Sequence, residues 1–284
     1  MDGPTCRCQD HERGLMLVRA GLYQFDCRFG QIEENTIAVE NALRGEAFDL
    51  LVLPELFTTG YFFAGPEEAL QLSEPIPDGP TTQFLARLAK GHQAYIVAGL
   101  AETGRDRAYN SAVVVGPNGY MGHHRKIHLT GLETGIFAPG NRGSVFSLGG
   151  IRVGLAICYD LWFPELTRQY LRLGVQLICH PANFGGSMTL DVARARAVEN
   201  VSAVITANRI GVEEGPEGKE SFRGESRIIA PSGDILNQAG GEEALLWADL
   251  SFSRPGSPRQ LGADLGEQMR RYSSGQIRIR EFRE

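Results

Sequence analysis

One cysteine closes an apolar run, Ile151-Arg-Val-Gly-Leu-Ala-Ile-Cys158, and residues 161–166 then read as a helix start with Pro164 in its first turn. A side chain able to act as nucleophile thus stands where strand gives way to helix. There, free peptide N–H groups and the helix dipole favour a thiolate. Taken alone, Cys158 reads more simply as a small core residue, because cysteine is among the most buried residue types. Two other segments change that balance.

In Leu51-Val-Leu-Pro54-Glu55, an apolar strand stops at Pro54 and a carboxylate follows at once. A glutamate at that end of a strand can point into a cleft, although alone it reads equally as a solvated loop residue. In the segment from Tyr109-Asn110-Ser111 to Lys126-Ile-His128, a strand, an Asn118-Gly119 hairpin turn and a return strand deliver Lys126. On its own that lysine reads as a surface residue.

Together and in this order, Glu55, Lys126 and Cys158 resemble the catalytic set of the nitrilase superfamily of carbon–nitrogen hydrolases. The likeness continues through Glu133, Phe137-Ala-Pro-Gly140, His180-Pro-Ala-Asn183 and Arg194-Ala-Arg196-Ala-Val-Glu199-Asn200. It runs on through Ala207-Asn208-Arg209-Ile-Gly211 and Gly224-Glu-Ser226 to Pro231-Ser-Gly233, and spans roughly residues 16 to 275. Each piece is weak, but the ordered set is specific. The resemblance implies a single-domain α/β fold, a four-layer αββα sandwich of two sheets packed face to face with helices outside.

It also implies a reaction. Only a few per cent of a free thiol is thiolate at neutral pH, so Glu55 is expected to take the proton of Cys158. The sulfur attacks an amide carbon, and Lys126 with the backbone N–H of Tyr159 faces the oxyanion; one such donor typically carries about a hundredfold to a thousandfold in rate. Glu55 then protonates the departing amine and activates the water that cleaves the thioester. Glu133 resembles the second glutamate of the family, which positions substrate and the other catalytic groups. By analogy Trp162, Phe184 and Tyr61 would form a partly apolar pocket, with Asn183 as a polar contact.

Other chemistries stay open on the residues alone. His123, His124 and His128 flank Lys126, but strand alternation sends His123 to the side opposite His124 and His128, so convergence on one metal is awkward. Cys6-x-Cys8-x-x-His11 is half of a metal site with no second half. A Cys–His pair would leave Glu55 and Lys126 unexplained, and Cys179 is a rival nucleophile inside an apolar strand. No cofactor and no metal are expected. A scaffold without activity would have lost one of the three catalytic residues, and acyl transfer to an acceptor other than water remains an alternative.

Substrate class is harder to read. Members of the family cleave nitriles, aliphatic amides, half-amides and N-carbamoyl amines. Cys158-Tyr159-Asp160 resembles amidase-type branches, whereas nitrile-cleaving members more often carry Cys-Trp-Glu. The arginine found past the nucleophile in some carbamoyl amino-acid hydrolases is replaced by Leu161-Trp162-Phe163. The expected partners are therefore a small amide and water, with nitrile or N-carbamoyl amine hydrolysis as alternatives.

The elements that must position these residues alternate. Strands are expected at 17–24, 50–53, 94–100, 151–158, 176–180, 203–208, 227–230 and 245–250, with helices near 32–44, 81–90, 161–173 and 189–201. Such alternation argues an α/β sandwich. The chain of 284 residues is long enough for a large unstapled core. A net charge of −6 argues against a nucleic-acid partner, and no apolar run reaches the roughly 20 residues that span a bilayer. Five cysteines at irregular spacing fit reduced thiols in a cytoplasmic setting. Residues 1–15 are polar, lack the apolar segment of a signal peptide and are expected as a disordered tail, with Met16 a candidate start. The hydrolase domain is expected over 16–258 and a C-terminal extension over 259–284. The resemblance implies a homodimer or a multiple of dimers, through the helix near 163–173 and through residues 261–272.

Overall fold

The computed structural model describes residues 10–11, 15–215, 218–253 and 259–272. β1 (Asp10–His11) pairs with the start of β2 (Leu15–Gln24), which is followed by β3 (Leu50–Val52), β4 (Tyr95–Glu102), β5 (Tyr109–Gly116) and β6 (Gly119–Arg125). These strands lie side by side in sequence order as one sheet. β2, β3 and β4 run parallel, and a turn at Pro117-Asn118, one residue before the expected Asn118-Gly119, makes β5 and β6 an antiparallel hairpin. A second sheet holds β7 (Val145–Leu148), β8 (Ile151–Leu155), β9 (Leu177–Pro181) and β10 (Ala203–Ala207). After a hairpin of β11 (Ile210–Gly215) and β12 (Gly218–Arg223), that sheet is completed by β13 (Arg227–Ile229) and β14 (Ile235–Gln238). β15 (Ala244–Ser253) returns to the first sheet and pairs with β2 along its whole length, and β16 (Arg259–Gln260) and β17 (Ala263–Asp264) form a small ribbon.

Period-two alternation along the strands sorts their side chains between three cores. Leu22, Leu50, Val52 and Val114 face Val153, Leu155, Leu177, Cys179 and Ile205 between the two sheets. Their neighbours Tyr23, Leu51, Val113 and Val115 turn outward against α1 (Ile32–Ala42) and α3 (Pro80–His92), where Val39, Leu85 and Ala89 meet them. Ile178 and Val204 turn the other way, against Leu166 and Tyr170 of α5 (Pro164–Arg172) and Ala193 and Ala197 of α6 (Met188–Asn200). The order of layers is helix, sheet, sheet, helix, the αββα sandwich that the resemblance implies.

The differences from expectation are short elements. α2 (Pro66–Gln71) interrupts the expected loop to Pro80, α4 (Gly131–Thr134) lies in the loop after β6, and the β11–β12 hairpin follows β10. α7 (Leu265–Tyr272) lies against α5 of the same chain. Most of the expected tail, with Cys6 and Cys8, lies outside the described residues, as do 273–284 of the expected extension. Among the described residues no helix is long and apolar enough to cross a membrane.

Candidate active site

Glu55 sits just past β3, on a segment pressed against the neighbouring strand. The N–H of Leu53 donates to the carbonyl of Val97 and that of Phe57 to Gly99. A Cβ at Gly99 would stand 2.5 Å from the Glu55 Cα, so only glycine lets the two backbones approach this closely. The Glu55 carboxylate is fully buried. Its Oε1 accepts from Lys126 Nζ at 2.6 Å and from Asn110 Nδ2 at 2.7 Å, while Oε2 is buried without a partner.

Lys126 follows β6 and is held by its own N–H, which donates to the carbonyl of Asn110 at 2.8 Å. Besides Glu55, its ammonium reaches Glu133 Oε1 at 2.7 Å. Glu133 lies on α4, a one-turn helix with a capping box. The Glu133 N–H donates to Thr130 Oγ1 at 3.4 Å, and Glu133 Oε2 accepts from the Thr130 N–H at 2.9 Å. One oxygen therefore ties the helix together while the other holds the lysine. Asn110 Nδ2 also donates to Glu133 at 2.8 Å, bridging the two carboxylates.

Burial pushes the Glu55 carboxyl up to about 7, against the pull of Lys126. Burial also disfavours charge on Lys126, but the carboxylates of Glu133 and Glu55 outweigh it and hold its ammonium well above the usual lysine range. The cluster thus keeps a firmly protonated lysine beside a carboxylate poised to exchange a proton near neutrality.

Cys158 stands three residues past the end of β8 with φ of +44°, a left-handed conformation that is strained for a residue with a Cβ. A 3₁₀ turn, Cys158–Trp162, begins there, and α5 starts only at Pro164. The sulfur lies in the core between the sheets and donates to the carbonyl of Asn183 at 3.5 Å. Burial first, and the nearby Glu55 carboxylate next, raise the thiol well above its ordinary range. The expected thiolate at a helix end is therefore corrected. The helix starts too far away, and the resting group is a thiol that needs a base. His180 donates from Nε2 to the Cys158 carbonyl at 3.0 Å, and its Nδ1 lies 3.0 Å from Thr206 Oγ1. Burial lowers its pKa to about 4, so it holds the strained turn as a neutral ring.

Asp160 joins the two sheets at the site. Its Oδ1 accepts from the N–H groups of Ile127 (3.0 Å) and His128 (2.8 Å) and from His128 Nδ1 (3.0 Å). Its Oδ2 accepts from His124 Nε2 (3.1 Å) and the Ile157 N–H (3.2 Å). The peptide after the lysine is thereby pinned to the peptide before the cysteine. Burial alone would raise the Asp160 carboxyl, but the bonds from His124 and His128 win and hold it below the usual carboxylate range. Its contribution to stability is therefore present above that range and lost as pH falls through it. In Asp160→Asn the amide would set donors against His124 and the Ile157 N–H. Urea denaturation should show a loss of about 1–3 kcal/mol, with turnover reduced as well.

The proposed pocket residues divide. Tyr61 is buried, its phenol 3.3 Å from Thr130 Oγ1, and burial followed by the Glu133 charge raises its pKa well above the usual range. Through Thr130 the phenol is joined to the capped turn that carries Glu133. Phe184 packs in the inter-sheet core that also holds Cys158. Trp162 donates from Nε1 to Thr189 Oγ1 at 3.3 Å, and the Tyr159 ring meets Phe163 edge-on at 5.2 Å. Asn183 Nδ2 donates to the Glu55 carbonyl at 2.9 Å, and its Oδ1 is buried without a partner. His124 and His128 both turn to Asp160, whereas His123 turns to Tyr120. Asn110, Asp160 and His180 were not singled out as site residues from sequence. A T-x-x-E capping box at Thr130 was readable, but nothing in the sequence pairs Asn110 with two carboxylates.

The family model described as carbon–nitrogen hydrolase matches residues 19–260. The chain is 39% identical over 231 residues to a nitrilase of Pyrococcus abyssi, covering 80% of this chain and 87% of that protein. It is 37% identical over 242 residues to an (R)-stereoselective amidase of Pseudomonas, covering 84% and 86%. A solved mutant of the amidase from Nesterenkonia sp. AN1, in which acrylamide has added to the active-site cysteine, superposes with a TM-score of 0.70. It has 27% identity and covers 82% of this chain and 93% of that one.

Proposed function

The chain belongs to the carbon–nitrogen hydrolase family, and from that premise we propose that it converts a small amide to a carboxylate and ammonia through a thioester on Cys158. One observation carries the reading. An ammonium has three protons to donate, and Lys126 gives one each to Glu55 and Glu133, leaving the third for a substrate oxygen. The names of the Pseudomonas and Nesterenkonia relatives support an amide over a nitrile, and acrylamide in the latter is itself a short amide.

The steps follow from the charges. Cys158 gives its proton to the unpartnered oxygen of Glu55 as sulfur bonds to the amide carbon. The carbonyl electron pair moves onto oxygen, facing Lys126 and the Tyr159 N–H. When the oxyanion collapses, the C–N bond breaks and Glu55 returns its proton to the leaving nitrogen, releasing ammonia. Water then gives a proton to Glu55 and attacks the thioester, and the C–S bond breaks with the proton going back to sulfur. The products are a carboxylic acid, ammonia and the resting thiol.

Purified protein should release ammonia from at least one short aliphatic amide faster than from the matching nitrile, half-amide or N-carbamoyl amine. Preferred ammonia release from the nitrile would favour the alternative that the Pyrococcus name carries. Lys126→Arg should not rescue Lys126→Ala. A planar guanidinium is too large for a seat between two carboxylates 2.6 and 2.7 Å from Nζ. Both variants should lose about a hundredfold or more in kcat. Near wild-type turnover of the arginine variant would remove Lys126 from the reaction.

A further inference from the structure

Arg209 and Glu213 take no part in the steps above, yet both are buried, Arg209 completely. Arg209 Nη1 donates to Glu213 Oε1, Nη2 to Asp26 at 3.2 Å and Nε to the Ile210 carbonyl at 3.1 Å. Its guanidinium also lies over the Phe222 ring at 4.3 Å. The other oxygen of Glu213, Oε2, accepts from the N–H of Tyr61 at 2.9 Å and the N–H of Phe62 at 3.0 Å. These peptides belong to the loop that leaves Glu55.

The approach is close. Gly60 has φ of +78°, and a Cβ there would stand 2.7 Å from Glu213 Oε1 and 2.8 Å from the Phe29 Cα. Behind the loop lies a cavity of about 630 Å³, lined by Phe29, Phe62, Ala64, Val212, Arg209 and Glu213. On that side the loop is held by these charge-assisted hydrogen bonds together with the packing of the Tyr61 and Phe62 rings on Phe222. On its other side the Tyr61 phenol meets Thr130, whose hydroxyl caps the turn that presents Glu133 to Lys126.

We propose that Glu213, fixed by Arg209, is a positioning residue that sets the Tyr61–Phe62 peptide and thereby the wall against which substrate binds beside Cys158. This rests on the hydrolase reading above. Because Tyr61 moves no proton in that reaction, losing the clamp acts on substrate binding rather than on bond making.

The test uses Glu213→Gln, which loses the charge paired with Arg209, and Glu213→Asp, which keeps that charge but is too short to reach both peptides. With a short amide that the wild type cleaves, KM should rise by about ten- to hundredfold, the worth of a charge-assisted hydrogen bond, with kcat nearly unchanged. On a Tyr61→Ala background the same substitutions should add little to KM, because the wall they position is gone. Iodoacetamide, a short amide that alkylates Cys158 with loss of iodide, supplies a second measure. The concentration giving half the maximal alkylation rate should rise in both variants, followed by mass spectrometry. If the wild type releases ammonia from no amide, the hydrolase reading fails and the alkylation measurement still decides this one. Effects that add to those of Tyr61→Ala, a fall in kcat alone, or unchanged half-saturation in the folded Asp variant would overturn the proposal.

Discussion

Cys158→Ala should fold as the wild type does and release no ammonia from any amide. The side chain is small, and alanine tolerates the left-handed backbone at this turn no worse than cysteine does. The His180 bond to the residue 158 carbonyl and the Asp160 bonds on either side do not involve the sulfur. What disappears is the sulfur that carries the acyl group in the proposed reaction, and removing a nucleophile from a preorganised site typically costs on the order of a millionfold in kcat. Cys179→Ala and Cys27→Ala serve as controls. Both thiols are sealed in apolar cores, Cys179 between the sheets and Cys27 beside Phe25, and burial raises both above the ordinary thiol range. Ammonia release read with circular dichroism checks all three. An active Cys158→Ala protein beside a dead Cys179→Ala protein would move the chemistry to the other thiol.

Glu55→Gln should also lose most of its activity, by about a hundredfold to ten-thousandfold, the usual span for a proton-transferring group. One carboxylate serves both halves of the reaction. Without it the thiol, already held above its ordinary range, keeps its proton, and any acyl group that does form lacks a base to activate water. Intact-mass measurement should show little acyl-enzyme, and what forms should persist. In the wild type, Glu55 must be ionised to act and burial has moved it up to about 7. Accordingly kcat/KM should fall as pH drops through that value and level off above it. A variant that changed only KM, with a flat pH profile in the wild type, would make Glu55 a binding group.

The alternation of strands and helices was legible along the chain, whereas the four layers and the set Glu55, Lys126 and Cys158 came from the ordered resemblance to the nitrilase superfamily. Apolar runs stop at Pro54 and at Cys158, shortly after β3 and β8 end, and helices carry Pro at their first positions, as α3 and α5 do. The remainder of the site is made across the chain rather than along it. Asn110 bridges Glu55 and Glu133 from 55 and 23 residues away, and Asp160 reaches back 36 residues to His124. A buried amide between two carboxylates has no local pattern. The thiolate expectation failed for a related reason, since a helix start is visible in sequence while the burial of the atom before it depends on the opposite sheet. The short α2 and the β11–β12 hairpin were missed because a six-residue helix and a mostly polar ribbon carry too little periodicity to stand out.

The long pairing of β15 with β2 has a consequence for the order in which the molecule comes into being. Glu55 and Lys126 leave the ribosome early, and the thiol at position 158 soon after. The sheet that carries the acid and the lysine is still missing a strand until residue 253 has been made, because Ala244–Ser253 lies against Leu15–Gln24 from end to end. Phe252 and Leu250 of β15 also enter the layer between the sheets that encloses the sulfur. From residue 158 to residue 253 the nascent chain thus carries this thiol while the sheet of Glu55 and Lys126 still lacks a strand.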